Sequence, residues 1–220
     1  MKTQQLNISV LKHPVIEDNL AIIRDKNTDS ERFKNAVRKI SYSLILEASK
    51  NLPMVEKTVE TPLVTTKCRV IDKSIQVIIA PILRAGLIFS EAASELLPFS
   101  NIHHVGMYRN EETLEPVWYY DKKKNIIDNK DKVFVIILDP MLATGNSAVD
   151  TIENFIKKGA KEENITFVSL IAAPNGVSNI QENYSKVKIV TASLDDSINE
   201  KGYILPGLGD AGDRIFNTIE

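Results

Sequence analysis

Residues 135–152 read "VIILDPMLATGNSAVDTI". The opening apolar run has the pattern of a strand buried on both faces. It ends at Asp139-Pro140 and passes through the small residues Ala143-Thr144-Gly145-Asn146-Ser147. A helix follows, with Val149, Ile152 and Phe155 or Ile156 on its inner face and Gly159 as a C-terminal cap. A helix N-terminus leaves backbone N–H groups unpaired and carries a partial positive charge. A turn of small residues lets a phosphate reach those groups, and Thr144 and Ser147 add hydroxyls. No Gly-Lys-Ser/Thr follows the glycine, so this is not a Walker loop. On its own, "ATGNS" is equally an ordinary strand-to-helix turn capped by Ser or Thr. Asp139, placed to meet sugar hydroxyls beside a phosphate, favours the binding reading.

Working outward, other apolar runs alternate with helical patterns. "IQVIIA" (75–80), "KVFVIIL" (132–138), "ITFVSLIAA" (165–173) and "VKIVTAS" (187–193) read as strands. "AGLIFSEAASELL" (85–97) and "GVSNIQENYS" (176–185) read as helices. The first strong helix is "TDSERFKNAVRKISYSLILEAS", with Thr28 and Glu31 at capping-box spacing. Phe33, Val37, Ile40, Leu44 and Ala48 form its apolar stripe. "KTVETPLVTTKCRVI" reads as one or two strands. "NIHHVGMY" (101–108) and "PVWYY" (116–120) read as strands flanking the polar "RNEETLE". Alternating strands and helices imply one α/β domain over 1–220, with a parallel sheet covered on both faces. Ligands of such sheets bind beyond the carboxyl ends of the strands. "PILRAG", "DPMLATGNS", "APNG" and "LDDSINEKGYILPGLGDAGDR" all sit there.

Composition narrows the function classes. The 220 residues are 43% hydrophobic and carry a formal charge of -2, so no large nucleic-acid footprint is expected. The single cysteine, Cys68, excludes an internal disulfide and a cysteine-clustered metal site and reads as a small half-buried residue. "MKTQQLNISVLKHP" has no long apolar core, and no run approaches the ~20 residues that span a bilayer. A cytoplasmic protein without membrane contact is expected. His103 and His104, adjacent on a strand, would face opposite ways and are not a metal pair. "DKKKN" (121–125) reads as a solvated charge run, and Trp118 as packing.

"LDPMLATGNS" resembles the phosphoribosyl-diphosphate signature of type I phosphoribosyltransferases. Pro140, where most of that superfamily carry a second acid, resembles the uracil phosphoribosyltransferase branch. "APILRAGL", "GMYRNEETLEP", "LIAAP" and "GYILPGLGDAGDRIF" resemble that family in the same order, and the similarity runs from "LKHP" and "RDKNT" to the C-terminus. The resemblance implies the fold: a parallel sheet flanked by helices, a small hood and a flexible β-hairpin lid. It also implies transfer of ribose 5-phosphate from 5-phosphoribosyl 1-diphosphate to uracil, giving UMP and diphosphate.

Site roles follow from the same resemblance. Ala143, Thr144, Gly145, Asn146 and Ser147 would anchor the 5′-phosphate, with Pro140, Met141 and Leu142 leading into that turn. Asp139 would meet the ribose hydroxyls. Arg84 and, from the lid, Arg109 would meet the diphosphate, where a guanidinium fork suits phosphate oxygens. Ile204 and the Gly209-Asp210-Ala211 backbone would read the base. Uracil presents one N–H between two carbonyls, whereas cytosine would leave buried polar groups unpaired. Asp210 would face the donor or its Mg²⁺, which is expected on the diphosphate because Mg²⁺ keeps waters and phosphate ligands.

The family also implies a homodimer or homotetramer, and GTP activation is seen in some relatives. Departures from its usual pattern include Asn146 for a second glycine, which Asn tolerates if φ is positive. Leu46 stands where Tyr is common, and Asn217 replaces a glycine. A non-catalytic nucleotide sensor or RNA-binding regulator on the same fold is the competing reading. The intact Arg84, Arg109, Asp139 and Asp210 favour an enzyme, and the lack of basic excess disfavours RNA.

Overall fold

Hydrophobic runs that face packing partners on both sides can only sit at the centre of a sheet, and four of them do so here. The computed structural model describes residues 6–109, 116–121 and 130–218. It begins with β1 (Ile8–Val10), α1 (Pro14–Arg24), α2 (Ser30–Ser49) and a hairpin of β2 (Met54–Glu60) and β3 (Thr65–Ile71). Then come β4 (Gln76–Leu83), a 3-10 turn (Ala85–Phe89), α3 (Ser90–Leu96), β5 (Asn101–Ile102), β6 (Val105–Arg109) and β7 (Pro116–Asp121). The second half runs through β8 (Val133–Leu138), β9 (Met141–Leu142), α4 (Asn146–Lys157), β10 (Ile165–Ala172), α5 (Pro174–Asn183) and β11 (Lys188–Leu194). It closes with β12 (Ser197–Ile198), β13 (Ile204–Leu205) and α6 (Ala211–Phe216).

The main sheet has the order β1-β11-β10-β8-β4-β6-β7. Its pairs are parallel except β6 with β7, which form an antiparallel hairpin. Alternate residues of each central strand feed two separate cores. Val77, Ile79, Ile136, Leu138, Val168 and Leu170 pack with α1, α2 and α3. Ile78, Ala80, Val135, Ile137, Ile165 and Phe167 pack with α4 and α5. The five stripe residues of α2 are all buried, and Phe33, Val37, Ile40 and Leu44 each contribute ~1.5–3 kcal/mol by leaving water.

Several local readings change. A helix not expected from the sequence, α1, lies before α2; His13 Nδ1 caps it by accepting from Val15 N at 3.2 Å, with Pro14 in its first turn. Asp29, not Thr28, caps α2, accepting from Arg32 N at 2.8 Å. Thr28 instead donates its hydroxyl to Ile22 O. The 101–108 stretch is broken at His103-His104 into β5 and β6. The 85–97 helix starts as a 3-10 turn. Cys68 is exposed rather than half-buried, because β2 and β3 pair with each other and not with the main sheet. Among the described residues, no helix is long and apolar enough to cross a membrane.

Candidate active site

The 139–147 turn, where the sequence places the donor, is built from consecutive residues. β8 ends at Leu138, β9 resumes at Met141, and β10 pairs with both. Between them, Pro140 is buried and its carbonyl accepts from Leu170 N at 3.0 Å and Ile171 N at 3.2 Å. Pro140 therefore lies under the site rather than on its wall, and a second acid there would bury a charge. Leu142 is likewise core, with its carbonyl accepting from Ala173 N.

Gly145 caps α4 at φ 85°. A Cβ there would come within 3.0 Å of Gly176 O and 3.1 Å of Asn179 Cβ. The first N–H groups of α4 open onto a cavity of about 80 Å³ lined by Asp139, Met141 and the 142–148 turn. Asn146 is not at positive φ; among the described non-glycine residues only Asn217 is, at φ 55°. Asn146 Oδ1 instead accepts from Asn179 Nδ2 at 3.1 Å, and that amide also donates to Thr144 O at 3.0 Å. Sequence reasoning missed Asn179 and Gly176, the α5 residues that brace the turn. Their only signal was "APNG" at a strand end.

Asp139 sits at the mouth of this cavity, half-buried. Burial pushes its carboxyl up to about 7, against a weak opposing bond from Met141 N at 3.5 Å. Among the described residues no cation pairs with it, which suits a carboxylate that meets the hydroxyls of a polyol.

A second cavity, of about 260 Å³, adjoins the first, sharing Met141 and Ala143. Its far wall is Gly202 to Ile204 and Gly209 to Gly212, with Arg84 and Ala85 opposite. Arg84 follows the Leu83–Arg84 cis peptide at the end of β4. Its side chain is 59% exposed and lies 3.6 Å from Asp213 Oδ1 and 5.6 Å over the Phe216 ring. So loose a contact leaves the guanidinium able to meet an anion. Ile204 buries its side chain, whereas Gly209 is exposed at φ 81° with open space where a Cβ would be. Asp210 is exposed and caps α6, its Oδ1 accepting from Asp213 N at 2.9 Å.

Arg109 ends β6, opposite Pro116 of β7; the rest of the expected lid, 110–115, lies outside the described residues. At the other end of that hairpin, Asp121 accepts from His103 Nε2 at 2.9 Å, from Lys158 and from Asn154. Burial alone would raise its carboxyl, but these donors outweigh it and hold it below the ordinary range. Asp121 is thus a buried-side anchor rather than part of a solvated run; residues 122–125 lie outside the described residues. Trp118 packs against the α4 core. Among the described residues, no three His, Cys, Asp or Glu side chains are grouped to hold a metal. Asp210, exposed on the larger cavity, suits a Mg²⁺ that brings its own phosphate and water ligands.

Known proteins resemble this chain in sequence and fold. The family model for uracil phosphoribosyltransferase matches residues 10–218. A uracil phosphoribosyltransferase of Limosilactobacillus fermentum is 47% identical over 210 residues, covering 95% of this chain and 97% of that one. The solved AQ2163 protein of Aquifex aeolicus superposes with a TM-score of 0.85 at 35% identity, covering 95% of this chain and 97% of its own. An adenine phosphoribosyltransferase of Trypanosoma brucei, at 11% identity, shares the fold alone, with a TM-score of 0.55 over 86% of this chain and 84% of its own. The fold is therefore that of the type I phosphoribosyltransferases, and the chain belongs to the uracil phosphoribosyltransferase family.

Proposed function

We propose that this single-domain protein transfers ribose 5-phosphate from 5-phosphoribosyl 1-diphosphate to uracil, giving UMP and diphosphate. The observation that carries this reading is the pair of adjoining cavities. One lies at a helix N-terminus and the other is walled by the glycine-containing segments 202–204 and 209–212; Met141 and Ala143 line both. A ribosyl phosphate spans such a junction, with its anomeric carbon between base and leaving group.

The N–H groups of α4, with the Thr144 and Ser147 hydroxyls, donate to the 5′-phosphate. Asp139 accepts from the ribose hydroxyls. Arg84, and Arg109 at the end of β6, donate to the diphosphate as it departs from an oxocarbenium-like ribosyl group. Ile204 and the Gly209-Asp210-Ala211 backbone match the uracil edge and leave cytosine unpaired. Asp210 would help hold a Mg²⁺ arriving on the donor, and that ion would neutralise part of the diphosphate charge. The protein is further read as a cytoplasmic homodimer or homotetramer, with GTP as a candidate activator to be tested. The exposed Leu63 and Val64 between β2 and β3 support self-association.

The test is to incubate the protein with the donor, Mg²⁺ and each of uracil, cytosine, orotate and hypoxanthine, with and without GTP. UMP and diphosphate from uracil alone are expected. No UMP under any of these conditions overturns the reading in favour of a non-catalytic nucleotide sensor. Light scattering tests the oligomer.

A further inference from the structure

Behind the base-reading loop, and outside the cavity it faces, sits a charged cluster. Arg24, at the end of α1, donates from Nη1 to Asp195 Oδ2 at 2.8 Å and from Nη2 to Asp195 Oδ1 at 2.6 Å. The Asp195 side chain is 2% exposed. Arg24 Nη2 also donates to Ser193 Oγ at 3.0 Å, and Ser193 Oγ to Asp195 Oδ1 at 2.8 Å. Both backbone groups of Gly207 are held by this pair: its N–H donates to Asp195 Oδ2 at 2.8 Å, and its carbonyl accepts from Arg24 Nη1 at 2.8 Å. The next carbonyl, Leu208 O, accepts from Arg214 Nη1 at 2.8 Å. Arg214 is itself fixed by Asp25 O at 2.7 Å, by Ile23 O, and by stacking 4.4 Å over the Phe33 ring.

The loop needs such holding. Gly207 is at φ 61° and Gly209 at φ 81°, and a glycine-rich segment loses much backbone freedom on ordering. Its strand pairing ends at Leu205, so beyond that point side chains must satisfy its backbone groups. Reading a base by backbone atoms also demands placement within a fraction of an ångström. None of Arg24, Asp195 or Arg214 lines the base cavity.

We propose that Arg24, Asp195 and Arg214 are positioning residues for base recognition, clamping Gly207 and Leu208 so that Gly209 to Ala211 present a rigid edge to the acceptor. This rests on the uracil-transfer reading. It assigns the cluster to the acceptor half-reaction and not to the donor. A cluster that only supports the fold would lower the active fraction and leave both Michaelis constants where they were.

The experiment compares KM for uracil, KM for the donor, and kcat in the unmodified protein, Ser193→Ala, Arg24→Lys, Arg214→Lys and the neutral pair Arg24→Gln/Asp195→Asn. Ser193→Ala keeps both charges and so remains informative if the stronger variants fail to fold. The expected result is a uracil KM that rises from Ser193→Ala to Arg24→Lys to the pair, reaching about tenfold or more, while donor KM holds. Lost thermal stability with unchanged Michaelis constants, or a parallel rise in both, overturns the proposal. An unmodified protein that makes no UMP would instead defeat the underlying reading.

Discussion

The donor turn and the base loop are both short, glycine-containing segments at the carboxyl end of the sheet, yet they are held in opposite ways. The donor turn is mostly local: strand, break, turn and helix lie within Val133–Lys157, and the brace from Asn179 of α5 comes from outside. Its working groups are helix N–H atoms that exist because the helix exists. The base loop is held from afar, with Arg24 reaching across 183 positions to Gly207 and Arg214 tying it to α1. A helix terminus is organised by its own backbone, whereas an irregular loop borrows order from side chains elsewhere. The two halves of the site should therefore fail differently.

The largest effect is expected at Gly145. Gly145→Val places a β-branched residue at φ 85° against Gly176 and Asn179. Donor affinity should fall more than a hundredfold, with a lowered melting temperature; calorimetry with the donor would show it. Normal donor affinity would break the contrast, since the turn would then tolerate what its geometry forbids. Arg84→Ala should come next, losing charge-assisted contacts worth ~1.5–3 kcal/mol each. Because Arg84 is largely exposed, its stability cost should be small, and donor kinetics would separate the two. An unchanged donor step would remove Arg84 from the diphosphate site.

Asp139 gives a pH test. Its folded carboxyl is raised to about 7, above the ~3.9 of an unfolded Asp. The folded state thus binds more protons in that interval, and stability is lost as pH rises from about 4 to about 7, then levels. Asp139→Asn should flatten this dependence and stabilise the free protein above neutrality, on the order of 1–2 kcal/mol after allowing for solvent access. Donor use should nonetheless weaken, because the carboxylate acceptor is gone. Thermal melts across pH 5–9 check the sign; a variant less stable at pH 8 would contradict it. The smallest effect is expected for Asn146→Gly, which removes one bond to Asn179 but leaves Asn179 on Thr144 O. A loss of about 1 kcal/mol or less in donor binding is expected.

Legibility followed the range of the interactions. The α2 stripe was readable because five apolar residues repeat at helical spacing, and all five are buried. α1 was hidden because it is short and carries the buried Asn19 within its apolar face. The two Asn-for-Gly positions looked alike in sequence. Only the backbone distinguishes them: Asn217 takes the left-handed conformation and Asn146 does not. Asp121 read as one charge in a polar run, yet His103 and Lys158 converge on it from 18 and 37 positions away.

By itself, the sequence determined the buried parallel strands, the small-residue strand-to-helix turn and the family whose motifs it carries, because periodicity and turn chemistry are properties of neighbouring residues. The tertiary structure alone decided that Pro140 is a floor rather than a wall, that Asn179 braces the donor turn, and that two arginines clamp the base loop. Those outcomes depend on which distant groups meet when two cores close around one sheet. No local pattern records such meetings, since their free energy comes from satisfying buried polar groups across the fold.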